Sequence, residues 1–445
     1  MTRLAALALA ALAAVSLASF ALAATAAGLT PPKRHQVPAR HRHRHHASAA
    51  TAQPDQVLEW NQNLLQLLQI PGAQPATIHP TRTMAITQLA VYGAVHTADR
   101  ANNAEAAQPA AEAAAASAAH TALDALLPSQ QPAIDAKFQD SLTQIGAGRR
   151  IDRGIRIGIA AADAILAARA NDGATATPPP YVPQPGPGEY QLTPPNFQPP
   201  VFTHWAAVTP FVMRSAGQFR PAPPPAVTSP RYTDDFNEVK SLGQSTSASR
   251  SAEQTQIGRF WGAGPVQNVW NQIAEMAAGA LHTSLAQNAR LFAVLDTTLA
   301  DGVIALYDAK YAYHRWRPVT AIQAGENDGN PATAGDPAWT PLANTALDPS
   351  YPGAHAEISQ SAAAALQSFF GTDRVDFSLS NPALPGVVRS FQSFSQAAQE
   401  ASASRIYAGQ HFRYDEDAGQ ALGDQVGDFV ADRLLRHAHR HSGRL

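Results

Sequence analysis

The sequence predicts an all-α protein, a bundle of packed helices interrupted by one long Pro-rich irregular segment. Three observations carry this expectation. Apolar residues recur at helical spacing from Gln56 to about Asp172 and again from Ser251 onward; no run alternates with period two; and residues 174–230 hold proline at a density that no helix tolerates.

The elements follow in order. Arg3 precedes an Ala/Leu run from Leu4 to Ala24, and Ala21-Leu22-Ala23 and Ala24-Thr25-Ala26 offer small-residue cleavage sites. Residues 1–26 therefore read as a secretory signal peptide, and the length of the run leaves an uncleaved N-terminal membrane anchor as the alternative. Residues 27–55 form a basic, His-rich tail (KRHQVPARHRHRHH) without apolar period, and 436–445 (RHAHRHSGRL) form a second; both compositions fit solvated chain. Residues 56–173 are an Ala-rich helical part. Val57, Leu58, Leu64, Leu65 and Leu68 fall on one face, and Met84–Arg100, Ala110–Leu127 and Arg150–Arg169 repeat the pattern between breaks at Pro71, Pro80, Pro128 and Gly173. Residues 174–230 (PPPYVPQPGPGEY, TPPNFQPP, RPAPPP) carry Phe202, Trp205, Phe211 and Phe219 among the prolines, which suits a segment wrapped over the helices. Residues 231–435 are helical again, with a long helix from about Asn288 to Trp316 whose Phe292, Leu295, Leu299, Val303 and Leu306 make a buried stripe.

Composition excludes several classes of function. At 445 residues and 45% hydrophobic content the chain fills a sizeable core. Residues 1–46 hold six Lys or Arg and no acid, so the remainder carries 26 basic against 34 acidic residues. Such a body has no general attraction for nucleic acid, and any anion site must be a local cluster. No later stretch is long and apolar enough to span a membrane. Cysteine is absent, which rules out disulfides and thiolate metal sites. Nothing in the sequence sets an oligomeric state.

Three segments concentrate the chemistry: KYAYHRWRP (Lys310–Pro318), YPGAH (Tyr351–His355) and SRIYAGQHFRYD (Ser404–Asp415). Lys310 and Arg317 are seven residues apart, which on a helix returns to nearly the same face about 10 Å along the axis; Pro318 puts Arg317 at the helix end. A solvated basic face through His314 and Arg315 is the plainer alternative. Gly353 and Ala354 precede a strong helix former, so the amides of 353–355 would sit at a helix N-terminus with His355 above them. Arg405 and His411 lie about 240° apart on a helix and need a turn at Gly409 to meet. Asp415, four residues after His411, would accept the distal imidazole N–H. Three fixed cations and two histidines converging on one point would make a cage for a tetrahedral oxyanion.

In the spacing K-x6-RP, P-x-x-H and SR-x5-H-x3-D the three segments resemble the signature of the vanadium-dependent haloperoxidase and type 2 phosphatidic acid phosphatase superfamily. WNQNLLQLL (Trp60–Leu68), QFRPAPPPAVTS, DFNEVKSLG, DGNPATAGDPAWTPL and SFSQAAQEASASRIYAGQHFR extend the likeness, toward secreted bacterial haloperoxidase-related proteins, over nearly everything after residue 56. The resemblance implies a helical bundle with the oxyanion at one end. Lys310, Arg317 and Arg405 would bind its oxygens together with the amides of Gly353 and Ala354. His355 would be the acid/base, and His411 the axial ligand of vanadium or the nucleophile, with Asp415 behind it. Implied reactants are hydrogen peroxide and halide with vanadate as cofactor, or a phosphate ester hydrolysed through a phosphohistidine with no cofactor. A non-catalytic secreted protein whose His-rich ends bind anions or metal is a third reading. The family usually reads P-S-G-H where this chain reads P-G-A-H, so the hydroxyl that would bond the anion is missing at Gly353, a loss of about 1.5 to 3 kcal/mol.

Overall fold

Asp55 opens the helical body by accepting the amide hydrogens of Val57 (3.0 Å) and Leu58 (3.1 Å), which caps α1 (Gln56–Gln69). The computed structural model describes residues 55–100 and 104–442. The expected signal peptide, the basic tail up to residue 54, residues 443–445 and the side chains from residue 437 on lie outside the described residues.

α2 (Pro80–Arg100), α3 (Ala104–Leu126), α4 (Gln131–Ile145) and α5 (Arg149–Arg169) complete the first helical part. Pro80, expected as a break, instead begins α2, because the first helical position needs no amide donor and suits proline's φ. α4 occupies a stretch for which the sequence reading assigned no element. The second part comprises α6 (Pro230–Gly243), α7 (Ala252–Gly262), α8 (Val266–Ala280), α9 (Leu285–Tyr313), α10 (Pro318–Gln323), α11 (Ala354–Phe370), α12 (Phe394–Tyr407) and α13 (Arg413–Ser442). The protein is all-α, with one departure from the expectation of no strands. Phe377–Ser380 (β1) and Val388–Phe391 (β2) pair antiparallel, Phe377 opposite Phe391, and alternate buried and exposed in β1 over four residues, too few to stand out as a pattern.

α9 is the organising element. Ser284 and Gln287 cap it reciprocally, and it packs on α2 on one side and on α11 and α13 on the other. Phe292, Leu295, Leu299 and Val303 are buried in one core with Trp60, Met84, Leu123, Trp270, Leu366 and Phe394, so both helical parts share it. The long helix ends at Tyr313, three residues short of the expected Trp316. His314 turns left-handed (φ 48°) and its amide closes on the Lys310 carbonyl at 3.0 Å, while Pro318 holds Arg317 extended (φ −83°, ψ 155°) as the N-cap of α10.

The Pro-rich segment up to residue 229, where α6 begins at Pro230, has short 3-10 turns as its helical structure and runs along α9 and its C-terminal turn. Asp301 of α9 accepts the amides of Phe211, Val212 and Met213 at 2.6, 2.8 and 2.7 Å. Further on, Trp316 donates its amide to Gly188 O (2.9 Å), Arg315 Nη2 reaches Pro225 O (2.9 Å), and Tyr351 Oη reaches Ala222 O (2.6 Å). The segment thus clamps the turns that carry Arg317 and His355. A second, aromatic core lies beneath them, built from Tyr232, Phe236, Trp316, Trp339, Phe412 and Tyr414.

Candidate oxyanion site

Five pieces of chain meet at one end of the bundle: the last turn of α9, the N-cap of α10, residues 348–355, the end of α12 and the turn into α13. Lys310 is fully buried, and Arg317, Arg405 and His411 are nearly so; His355 is half-buried. Lys310 and Arg317 do not share a helix, contrary to the geometry expected from their spacing. They meet because the chain reverses at His314, and one carboxylate, Asp348, pairs with both: 3.2 Å from Lys310 Nζ and in direct contact with Arg317 Nη2.

Arg317 is held on every side. Its Nε donates to Asp348 O (2.8 Å), and its Nη1 donates to Gln410 O (3.0 Å) and lies 3.0 Å from His411 Nε2. A guanidinium can only donate, so the Nε2 that faces it carries the lone pair. The other nitrogen, Nδ1, lies 3.2 Å from Asp415 Oδ2, which also accepts Ser350 Oγ (2.6 Å) and the amide of Phe412 (2.9 Å). Asp415 therefore fixes the tautomer of His411 as expected, although His411 sits two residues ahead of α13 and not on it. Burial, reinforced by Arg317, Lys310, Arg405 and His355, keeps His411 well below the usual histidine range, hence neutral.

The turn between α12 and α13 places Arg405 and His411 together. Gly409 adopts φ +74° and packs against Gly243 O, where a Cβ would lie at 2.5 Å, so neither the conformation nor the contact tolerates a side chain. Burial pulls Arg405 down to about 10 and Lys310 to about 8, the latter against the pull of Asp348. Burial alone would raise Asp348, but Lys310 and Arg317 hold it below the ordinary carboxylate value.

Gly353 is the N-cap of α11 and its amide is already spent on Asp415 O (2.8 Å), so of the amides expected at this helix start it is not available to an anion. His355 Nε2 lies 3.1 Å from Trp261 O; a carbonyl only accepts, so Nε2 carries the hydrogen and Nδ1 the lone pair. Burial and the Arg405 charge depress its pKa well below the usual value. The neighbours His314 and Arg315 belong to the scaffold. Arg315 is buried over the Tyr232 ring (5.0 Å) and bonds Tyr414 Oη (3.1 Å), so the solvated basic face does not form.

Sequence reasoning missed Asp348, Ser350 and Glu416. Glu416, in the first turn of α13, is buried with neither carboxyl oxygen hydrogen-bonded, and burial, then Asp415, push it up to about 8. Arg405 Nε and Nη1 are likewise buried without partners. A buried unpaired guanidinium N–H is costly, on the order of 1–3 kcal/mol, and an anion oxygen satisfies it. The donor set fits an oxyanion.

Fold and site together define a helical-bundle protein with a buried polybasic pocket backed by a His–Asp pair. Residues 290–440 match the family described as the VCPO second helical-bundle domain. Among solved structures, the first bacterial vanadium-dependent iodoperoxidase is similar at 27% identity and TM-score 0.71, over 85% of this chain and 95% of that one. A holo-type bacterial vanadium-dependent chloroperoxidase shares the fold at 18% identity and TM-score 0.66, over 87% and 97% of the two chains. The apo-type chloroperoxidase does so at 16% and 0.64, over 83% and 95%. No curated protein matches the sequence. The matched domain and the fold shared with the iodoperoxidase support an enzyme of the vanadium haloperoxidase/acid phosphatase superfamily.

Proposed function

We propose that this chain is a vanadate-dependent haloperoxidase-like enzyme that oxidises halide with hydrogen peroxide. The observation that supports it most is the convergence of Lys310, Arg317, Arg405, His355 and His411 on one buried point, with Arg405 Nε and Nη1 unpaired and His411 Nε2 unprotonated, its lone pair held by Arg317 Nη1 until an anion takes it over. The iodoperoxidase, similar over most of both chains, tilts the reading toward halide oxidation.

Lys310, Arg317 and Arg405 would hold the oxygens of vanadate, and His411 Nε2 would hold its central atom. Bound there, vanadate would supply a Lewis-acidic centre that activates peroxide toward a halide nucleophile. The protein's own part is electrostatic and protonic. Its cations are fixed by Asp348, Gln410 O and the buried surroundings before any reactant arrives, so charge is stabilised without reorganisation. Asp415 keeps the His411 hydrogen on Nδ1. His355, neutral and with Nδ1 unprotonated, accepts a proton at that atom from incoming peroxide and returns it to the departing hydroxyl; its partly exposed position connects it with solvent. Residues 174–230 and the aromatic core beneath hold the pocket walls.

The test is to purify the protein free of phosphate, add orthovanadate, and assay bromide- and peroxide-dependent halogenation of monochlorodimedone beside hydrolysis of p-nitrophenyl phosphate. Halogenation that needs vanadate and disappears in His411→Ala is the expected result. Vanadate-inhibited phosphate ester hydrolysis without halogenation would replace this reading with phosphatase chemistry, and absence of both activities would leave a binding protein.

A further inference from the structure

Gly353 stands where the superfamily signature usually has serine, and the structure contains a reason. A Cβ built on Gly353 would lie 2.2 Å from Glu416 Oε1 and 2.8 Å from its Cδ. The space of a side chain at 353 is already filled, by a carboxyl group arriving from the first turn of α13. The Gly353 amide bond to Asp415 O stitches that turn to the start of α11 and fixes the approach.

A counter-ion role in the cage does not fit the geometry of Glu416. Neither of its oxygens accepts a hydrogen bond, and it forms no ion pair with Arg405, whose Nε and Nη1 are unpaired as well. A counter-ion carboxylate would have closed on that guanidinium. Glu416 Oε1 lies instead 3.7 Å from His411 Nδ1, against the Gly353 backbone. Two buried groups without partners, the Arg405 guanidinium and the Glu416 carboxyl, feel each other's charge in the same cage.

We infer that the Glu416 carboxyl takes the place of a side chain at residue 353 and bonds an oxygen of the bound oxyanion, one proton lying between the two. This rests on the oxyanion reading above. The proton comes from whichever of the two oxygens carries it, so the bond forms with an acid carboxyl or with a hydroxyl of the anion. Gly353 and Glu416 are therefore one unit. Serine with glutamate is too much matter for the space, and glycine with a small residue at 416 is too little.

The experiment measures orthovanadate and phosphate binding by calorimetry, and thermal unfolding without anion, for wild type, Glu416→Ala, Gly353→Ser and the double variant. Glu416→Ala weakens anion binding by about tenfold or more, the loss of one charge-assisted hydrogen bond. Gly353→Ser forces the Glu416 carboxyl off Gly353 and lowers the unfolding temperature by what that displacement costs in the buried turn. The double variant, in which the hydroxyl enters vacated space, recovers the unfolding temperature and binds within about threefold of wild type. Binding by Glu416→Ala equal to wild type, or a double variant as weak as the two single losses combined, would overturn the inference while leaving the oxyanion reading intact. A wild type that binds neither anion would sink the oxyanion reading and this one with it.

Discussion

Asp348 is the residue on which the cage's charge balance turns. It is buried, it pairs with two buried cations, and it sits in an irregular loop whose backbone the side chains of Arg317 and Lys310 grip as well: Lys310 Nζ donates to Pro349 O and to Ser350 O, the latter at 3.2 Å. Removing one partner of a buried ion pair leaves the other uncompensated and costs about 3–5 kcal/mol. Asp348→Asn should therefore destabilise the protein by roughly that amount in urea unfolding, yet saturating phosphate should stabilise the variant more than the wild type, because an anion then replaces the lost charge. An equal phosphate effect on both proteins would show that the bound anion does not share the Asp348 cations. The contrast with the cage residues explains what the sequence could reveal. Lys310, Arg317, His355, Arg405 and His411 were legible because their types and spacing suit one chemistry. Asp348 and Glu416 were not, since a carboxylate acquires its meaning only once folding surrounds it with cations or removes its partners.

At the scale of elements, the site depends on where helices stop. Lys310 and Arg317 were expected on one helical face, and they converge for a different reason: His314 ends α9 in a left-handed residue and Pro318 starts α10. Proline was readable as a boundary, whereas the left-handed histidine was not, because nothing local demands it and Tyr190 N bonding to His314 O (2.6 Å) helps fix it from across the fold. The short β-hairpin escaped for lack of length. The helix ends need an outer clamp, and Asp301 supplies it by gathering three consecutive amides of the Pro-rich segment. Asp301→Asn loses charge assistance at each bond and places an amide donor against amide donors. The local opening free energy of residues 209–216 should fall by about 2 kcal/mol, roughly thirtyfold faster amide exchange, with little change in α2 or α3. Uniformly faster exchange throughout the protein would mean that the segment unfolds only with the whole.

Across the whole molecule, buried acids outside the cage are spread through the helical body. Burial raises Glu112 in α3 to about 8, Asp296 in α9 to about 7 and Glu357 in α11 to about 8, and neither oxygen of Glu357 has a hydrogen-bond partner. Each keeps its proton in the fold and loses it in the unfolded chain near the ordinary value, 4.5 for the two glutamates and 3.8 for the aspartate. Their contribution is complete below those values and is lost as pH rises through 7 to 8, since the native state then binds more protons than the unfolded one. His79, packed against Phe202 and Trp205, acts in the opposite sense. Burial lowers it to about 4, so stability is lost as pH falls from 6.5 toward that value, where only the unfolded chain takes up the proton. Three held protons against one displaced proton tilt the balance toward acid. A Glu112→Gln/Asp296→Asn/Glu357→Gln variant, followed by urea unfolding from about pH 5 to about pH 8, should gain on the parent steadily as pH rises, by about 3 kcal/mol or more at the alkaline end. A gap between the two proteins that stayed constant with pH would mean that these carboxyls ionise in the fold as they do in water.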